Sequence, residues 1–210
     1  MLLHNAEGAT DRILRRGQVL TTDPDKAKWL ISKYTAAFAI NFTDWMGKTL
    51  PWVRHELARY ALTDNLRCEA TEDHVGMLIE FAKDCEAFPD TGNYLDTAHA
   101  VSMVRDLLKD PRTAGLAGLT MMTLLEHTSA KFIPVLERMA TLCGSTNLRY
   151  TQVHGEADKK HSEAFTNALA AEWGMGYTEE EIGETSQKCY AAFQALLEVT
   201  FTQETSIVEP

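Results

Sequence analysis

The sequence lacks the features that mark several large classes of protein. No apolar run approaches the roughly 20 residues needed to cross a bilayer, and the N-terminal sequence MLLHNAEGATDRILRR has no basic start followed by an apolar stretch. Glycine (12) and proline (6) are scarce, which argues against collagen-like and low-complexity chains. Twenty basic residues face 30 acidic ones, so the net charge is −10 and no basic face is available for a phosphate backbone. We therefore expect neither a membrane nor a nucleic acid as partner.

Cysteines are also few and far apart. The four residues Cys68, Cys85, Cys143 and Cys189 form no CxxC pair. This pattern is typical of a reduced, cytoplasmic chain rather than of a disulfide framework, so a cytoplasmic location is expected. Each cysteine is expected to act as a small buried hydrophobic residue.

What the sequence does contain is helical periodicity. Hydrophobic residues make up 45% of the chain, and they recur at helical spacing along most of it, whereas no alternating run predicts a strand. Signals for helix starts and stops lie at Asp23-Pro24, Asp110-Pro111, Gly144 and the Thr178/Glu181 capping box. The sequence predicts one all-α domain of about seven helices over residues 23–202, between an irregular segment 1–22 and a polar tail 203–210.

One segment, RYTQVHGEADKKHSEAF, places three metal-ligand residue types at helical spacing. His154, Asp158 and His161 form the pattern H-x3-D-x2-H and span an arc of about 60° on a helix. Two imidazoles and one carboxylate on one face suit iron, zinc or manganese. The alternative is a solvated polar face, but the same face continues into Tyr150 and Phe165. We therefore expect the three side chains to point into an apolar seam.

The helix before this segment offers a carboxylate at the same level. Because the turn at Gly144 is short, the two helices should pack as an antiparallel hairpin. Glu126 precedes Gly144 by 18 residues and His161 follows it by 17, so both stand about 26 Å from the turn. A carboxylate in the apolar stretch GLAGLTMMTLLEHTSAKFIPVL costs free energy unless it is paired or metal-bound. Glu126 is therefore a candidate ligand beside His161.

A third helix, predicted over residues 64–88, offers Glu69 and His74, with Glu72 as an alternative. Glu69 and His74 are five residues apart, so on a regular helix they point about 140° away from each other. If both bind one site, the helix must be bulged, π-like or broken between them. We therefore predict an irregular segment around residues 69–74.

The order of these residues resembles that of the heme-oxygenase-like diiron oxidases. The resemblance rests on an NLxxE motif, an HxxLxxFA-like motif and the HGEADKKH segment, which contain Asn65, Leu66, Glu69, His74, Leu78, Phe81 and Ala82 beside the H-x3-D-x2-H residues. It implies a heme-oxygenase-like helical bundle that holds two Fe(II) ions and uses O2 as co-substrate. The implied iron ligands are Glu69, His74, Glu126, His154, Asp158 and His161.

The same resemblance implies oxidation of a small molecule, by desaturation, carbon–carbon cleavage or N-oxygenation. An amino acid or related carboxylate in specialised biosynthesis is the expected substrate, and the chemistry would occur at the metal rather than on a side chain. Residues that flank the ligands at helical spacing predict the substrate wall, namely Met122, Tyr150 and Phe165. The alternative wall is the first long helix around Tyr34, Phe38 and Phe42. Arg149 and Lys131 are the candidate partners for a substrate carboxylate, although neither lies on the predicted ligand face.

Three other functions stay open at this point. A thiaminase-like or cofactor-free hydrolase of the same fold would use Cys68 or Cys143 as nucleophile, but neither has a histidine at helical spacing to activate it. A helical binding module without catalysis would bind no metal. Heme binding is disfavoured because residues 23–50 contain no histidine to serve as an axial ligand in the first long helix. A homodimer is a hypothesis only.

Overall fold

The computed structural model describes residues 1–18 and 22–202, except the side chains of residues 17–18 and 156–159. These residues form nine α-helices and no strand, which confirms the predicted all-α fold. In chain order the helices are α1 (Leu2–Gln18), α2 (Pro24–Phe38), α3 (Asn41–Thr49), α4 (Glu56–Thr71), α5 (His74–Asp84), α6 (Thr91–Leu107), α7 (Ala114–Leu142), α8 (Arg149–Trp173) and α9 (Glu179–Phe201). Within the described ranges, no helix is both long and apolar enough to cross a membrane.

Several helix boundaries confirm the signals in the sequence. The Asp23 side chain caps α2 by accepting a hydrogen bond from the backbone N–H of Asp25. Thr178 and Glu181 form the predicted capping box of α9. Gly144 adopts φ +80° directly after α7, a backbone conformation that glycine reaches without strain. These local signals position the α7–α8 hairpin on which the candidate site is built.

The N-terminal segment expected to be irregular is instead the helix α1. Its buried face consists largely of small residues, Ala6, Ala9 and Thr10, followed by Ile13. These residues recur at spacings of three and four, the pattern of an amphipathic helix, so the expectation of an irregular segment was wrong. The predicted polar tail 203–210 lies outside the described residues.

The described part of the chain has more helices than predicted because α1 was not expected and the first long predicted helix is divided. The predicted 64–88 helix is also broken, but its first part belongs to α4, which begins earlier. The helix expected to start at residue 24 is interrupted after Phe38 and continues as α3. The helix expected over 64–88 is interrupted between α4 and α5. Both interruptions lie beside the candidate site described below, so they shape the site as well as the fold.

Helix α7 runs through the centre of the bundle, and most of its residues are buried. It packs most extensively against α8, and it also packs against α1, α2, α3 and α9. Helix α4 packs along α8, and α5 contacts both α2 and α8. The carboxylates and imidazoles singled out from the sequence are therefore carried by α4, α5, α7 and α8, which meet in the interior.

Two glycines near the start of α7 allow close packing against the segment after α3. A Cβ atom at Gly115 would overlap the backbone carbonyl of Trp52, and one at Gly118 would overlap the side chain of Thr49. By contrast, a Cβ atom at Gly183 on α9 would have no heavy atom within 4 Å. The close approach of the Trp52 backbone and of the Thr49 side chain therefore explains the first two glycines but not the third.

We expect Gly115→Ala to lower the free energy of unfolding by about 1–3 kcal/mol, because backbone atoms must move to admit the methyl group. The matched control Gly183→Ala should raise it by up to about 1 kcal/mol, since alanine favours the helix. Urea denaturation followed by circular dichroism measures both changes. Equal stability of Gly115→Ala and the wild type would show that this close approach does not exist.

Candidate metal centre

Three buried side chains converge at the junction of α4, α5 and α8. Glu69 lies near the end of α4, His74 begins α5 and His154 lies in the second turn of α8. One ligand atom from each lies within 4.8 Å of the other two. Among the described residues, these three side chains are the one group of three or more potential ligands close enough to hold a metal ion together.

The break between α4 and α5 brings Glu69 and His74 together. Helix α4 ends at Thr71, and Asp73 adopts a left-handed conformation with φ 54°. The Asp73 side chain then caps α5 by accepting a hydrogen bond from the backbone N–H of Gly76. As a result, His74 Nδ1 lies 2.9 Å from Glu69 Oε1 although the residues are five apart in sequence. The irregular segment predicted from their spacing is confirmed.

Glu69 and Glu72 contact opposite nitrogens of the same imidazole. His74 Nε2 lies 3.1 Å from Glu72 Oε2, and the Glu72 side chain is 50% exposed whereas that of Glu69 is 8% exposed. Burial lowers the pKa of His74, but the hydrogen bonds and charges of the two carboxylates outweigh burial, so the pKa is raised overall. Glu69 is thus the inner carboxylate, and Glu72 lies at the rim.

His154 is held in the form that a metal ligand requires. Its Nδ1–H donates to the backbone carbonyl of Tyr150 at 2.8 Å, because a carbonyl oxygen can only accept. The lone pair of a neutral ring is then on Nε2. Burial, followed by the neighbouring His74, lowers the pKa of His154 to about 4, so the ring is neutral at pH 7. Metal-bound histidines typically donate their second ring N–H in this way.

The hairpin brings Glu126 and His161 to the same level, as their distances from Gly144 predict. Glu126 Oε1 lies 3.9 Å from His161 Nδ1, and burial lowers the pKa of His161. The side chain of Asp158, the remaining residue of the H-x3-D-x2-H pattern, lies outside the described residues. The structure therefore brings five of the six residues into one buried region and leaves Asp158 as a prediction.

Asn65 supports Glu126, a role that the sequence does not predict. Its amide Nδ2 donates to Glu126 Oε1 at 2.8 Å, and the side chain is buried. In the sequence, Asn65 stands out only as part of the NLxxE motif. The signal that could have revealed its role is the spacing of four residues between Asn65 and Glu69, which puts both side chains on one face of α4.

A mainly apolar cavity adjoins these residues. Glu69, His74, Glu126 and His154 form part of its wall. The remaining lining residues are Tyr34, Phe38, Ala39, Phe42, Val75, Leu78, Leu125, Ser129, Phe132, Ile133 and Tyr150. The hydroxyls of Tyr34 and Tyr150 are hydrogen-bonded to each other at 2.8 Å. The candidate ligands therefore lie at the edge of a space suited to a small organic molecule.

Only one of the three residues predicted for the substrate wall lines this cavity. Tyr150 lines it, but Met122 and Phe165 are fully buried in the core and do not. In an antiparallel hairpin, the cavity lies on the Gly144 side of the ligands, whereas Met122 and Phe165 are each one turn further from Gly144 than the ligand beside them. The alternative wall on the first long helix, with Tyr34, Phe38 and Phe42, is the one that lines the cavity.

The cysteines do not form a nucleophilic site. All four lie within the described residues, and none lines the cavity. Burial raises the pKa of Cys68, Cys85, Cys143 and Cys189, that of Cys85 to about 11. A catalytic thiol requires the opposite shift.

Comparisons with known proteins agree with the fold. A family model described as iron-containing redox enzyme matches residues 29–199, within the heme-oxygenase-like superfamily. The crystal structure of a TenA homolog from Pseudomonas syringae pv. tomato strain DC3000 matches with a TM-score of 0.68, over 95% of this chain and 89% of that one. At 13% identity, this similarity shows the fold alone. No curated protein of significantly similar sequence was found. The chain belongs to the family of iron-containing redox enzymes.

Proposed function

We propose that this protein is a non-heme diiron oxidase or oxygenase that uses O2 to oxidise a small organic substrate. The observation that carries the proposal is the buried convergence of Glu69, His74 and His154 at the edge of an apolar cavity. The residues proposed to hold two Fe(II) ions are Glu69, His74, Glu126, His154, Asp158 and His161.

The chemistry of the donors fits iron. Imidazole nitrogen and carboxylate oxygen are the ligands that non-heme iron takes, and a neutral ring such as His154 is the form that binds. Glu69 and Glu126 are buried carboxylates, which are costly in an apolar interior unless a cation compensates them. Buried Asn65 Oδ1 has no hydrogen-bond partner among the described residues, so the protein leaves a polar atom unsatisfied beside Glu126.

Bound iron would supply the electrons and the oxidising power for O2 chemistry. The chain itself positions the ligands and restricts water. Asn65 orients Glu126 by its hydrogen bond, and the Tyr150 carbonyl orients the His154 ring. The aromatic wall on α2 and α7 limits the water that reaches the ligands, which protects reactive species from side reactions.

The other functions have less support. A cysteine hydrolase would need an activated thiol at the cavity, but the pKa of every cysteine is raised and none lines the cavity. A binding module without catalysis would not require buried carboxylates and imidazoles at one point. The TenA homolog shares the fold at an identity too low to transfer an activity.

Oxygen uptake tests the proposal. Metal-free protein loaded anaerobically with Fe(II) and then exposed to O2 should consume O2 faster than the same amount of free Fe(II). His154→Ala should lower the rate by about 100-fold or more, since loss of a ligand exceeds the 10–100-fold effect of its outer partners. The control His99→Ala changes an exposed histidine on α6 and should leave the rate unchanged. The proposal fails if wild-type protein does not exceed free Fe(II), or if both variants match the wild type.

A further inference from the structure

A surface groove lies between the C-terminal half of α1 and α7. Its lining residues are Asp11, Leu14, Arg15, Lys131, Val135 and Arg138. Three of these side chains are basic and one is acidic, although the whole chain has a net charge of −10. The groove is therefore a locally positive surface on an acidic protein, which the overall composition does not reveal.

Two ion pairs fix the register of α1 against α7 beside this groove. His127 Nε2 lies 2.9 Å from Glu7 Oε1, and Lys131 Nζ lies 2.8 Å from Asp11 Oδ1. Each pair joins residues that are 120 apart in sequence, so the two helices run parallel to each other. Lys131, a candidate partner for a substrate carboxylate, thus lies in this groove and not in the cavity.

Four arginines add positive charge beyond these ion pairs. All four are exposed, and none forms an ion pair with a described acidic side chain. They are Arg12, Arg15 and Arg16 near the end of α1 and Arg138 on α7. On a helix, residues three and four apart are neighbours, so the three arginines of α1 share one face. We call these four arginines and Lys131 the basic surface.

One helix separates the basic surface from the candidate centre. Lys131 and Val135 line the groove, whereas Ser129 and Ile133 of the same helix line the cavity. Positions two apart on a helix differ by about 200°, so these two pairs lie on opposite faces of α7. A helix with its side chains is about 10–12 Å across. A partner seated in the groove would therefore stand about that far from the cavity wall that includes Glu126.

The proposed oxidation needs electrons from a donor other than the substrate. Desaturation converts the substrate, O2, two electrons and two protons into the alkene and two molecules of water. Oxygenation converts the same inputs into the hydroxylated product and one molecule of water. In both reactions the two additional electrons come from a separate donor, such as a carrier protein that loses one electron at each encounter.

We propose that the basic surface docks an acidic electron-carrier protein, which delivers electrons to the candidate centre across α7. Carboxylates of the carrier would pair with the exposed arginines, and charges of opposite sign increase the rate of productive encounter. Electron-transfer complexes bury small interfaces, which fits a few cations around one groove. The inference rests on the proposed function for the use of the electrons, whereas the docking follows from the basic surface.

The probe for docking is a plant-type [2Fe–2S] ferredoxin, an acidic one-electron carrier. Calorimetric titration measures its dissociation constant with metal-free protein at low and at high ionic strength. We expect binding at about 0.02 M salt that weakens at least about tenfold at about 0.3 M, since salt screens exposed charges. Absence of binding at low salt, or binding that salt does not weaken, overturns the inference.

Two double variants with the same change in net charge locate the docking surface. Arg15→Glu with Arg138→Glu reverses two charges of the groove and should raise the dissociation constant at least about tenfold. Lys48→Glu with Lys109→Glu reverses two exposed charges, on α3 and just before α7, and should change it less than about twofold. Equal effects of the two double variants overturn the inference. So does a DNA duplex of about 20 base pairs that binds the wild type more tightly than ferredoxin does.

Electron delivery is measured separately from docking. Iron-loaded protein that has been oxidised by O2 is mixed with reduced ferredoxin, and the ferredoxin absorbance reports the loss of one electron per cluster. The groove variant should lower the second-order rate constant at least about tenfold at low salt, and the control variant should not. Docking without electron transfer, in protein that holds two irons per chain, overturns the carrier role. Failure to bind iron instead contradicts the proposed function, and the docking result with metal-free protein does not depend on it.

Discussion

Replacing Glu69 by alanine should remove about half of the bound iron and lower the rate of Fe(II)-dependent O2 uptake by about 100-fold or more. The reason is that Glu69 is the buried carboxylate beside His74 and His154, with its ligand atom within 4.8 Å of theirs. Without it, two imidazoles remain at that position, and the metal loses a buried carboxylate that balances its charge. Elemental analysis and an oxygen electrode measure the two effects.

Glu72→Ala is the matched control, because Glu72 contacts the same imidazole from its other nitrogen at 3.1 Å. Its side chain is half exposed, so its removal should leave the iron content unchanged and alter the O2 rate less than tenfold. The reverse pattern, with iron lost from Glu72→Ala and retained in Glu69→Ala, would assign the ligand role to Glu72.

Replacing Glu172 by alanine should produce the largest loss of stability, about 3–5 kcal/mol in the free energy of unfolding. Glu172 is fully buried at the end of α8. It accepts hydrogen bonds from the backbone N–H groups of Arg54 (2.9 Å) and His55 (2.8 Å) and from the Tyr177 hydroxyl (3.1 Å). Alanine would leave these buried and partly buried donors without this acceptor, and it would detach the start of α4 from α8.

Urea denaturation measures this loss, and Glu180→Ala is the control. Glu180 is exposed in the first turn of α9, so its removal should change stability by less than about 0.5 kcal/mol. A loss below about 1 kcal/mol for Glu172→Ala would mean that water or other groups satisfy the donors. Because Glu172 lies outside the candidate centre, iron binding of the folded variant should match that of the wild type.

Much of the candidate centre follows from the sequence because its geometry is helical and local. The hairpin register put Glu126 and His161 at one level, and their atoms lie 3.9 Å apart. The five-residue step from Glu69 to His74 required a break, which the left-handed Asp73 provides. Both predictions needed only the rise and rotation of a helix.

The cavity could not be predicted in the same way because it depends on how distant helices pack. Tyr34 and Tyr150 are 116 residues apart, and their hydroxyl contact depends on where α2 crosses α8. Met122 and Phe165 have the correct helical phase for the wall, yet they lie on the side of the ligands away from Gly144. Phase predicts which face a residue occupies, but the position of a cavity along that face depends on neighbouring helices.

The helix ends and the N-terminal helix also differ in how far the sequence predicts them. Caps such as Thr178 with Glu181 are local hydrogen-bonded motifs, so their sequence pattern predicts them directly. Helix α1 is buried through Ala6, Ala9, Thr10 and Ile13, which recur at helical spacing. Its helical structure is stabilised by packing against α7 and α9, which the N-terminal sequence alone does not reveal.

The most direct test of the diiron proposal is the stoichiometry of iron binding. Metal-free wild-type protein is titrated with Fe(II) under anaerobic conditions, and bound iron is measured after removal of free metal. We predict saturation at two Fe(II) per chain, with His161→Ala saturating at one because it removes a ligand of only one iron. Saturation of the wild type at one Fe(II), or no binding at all, would contradict a diiron centre.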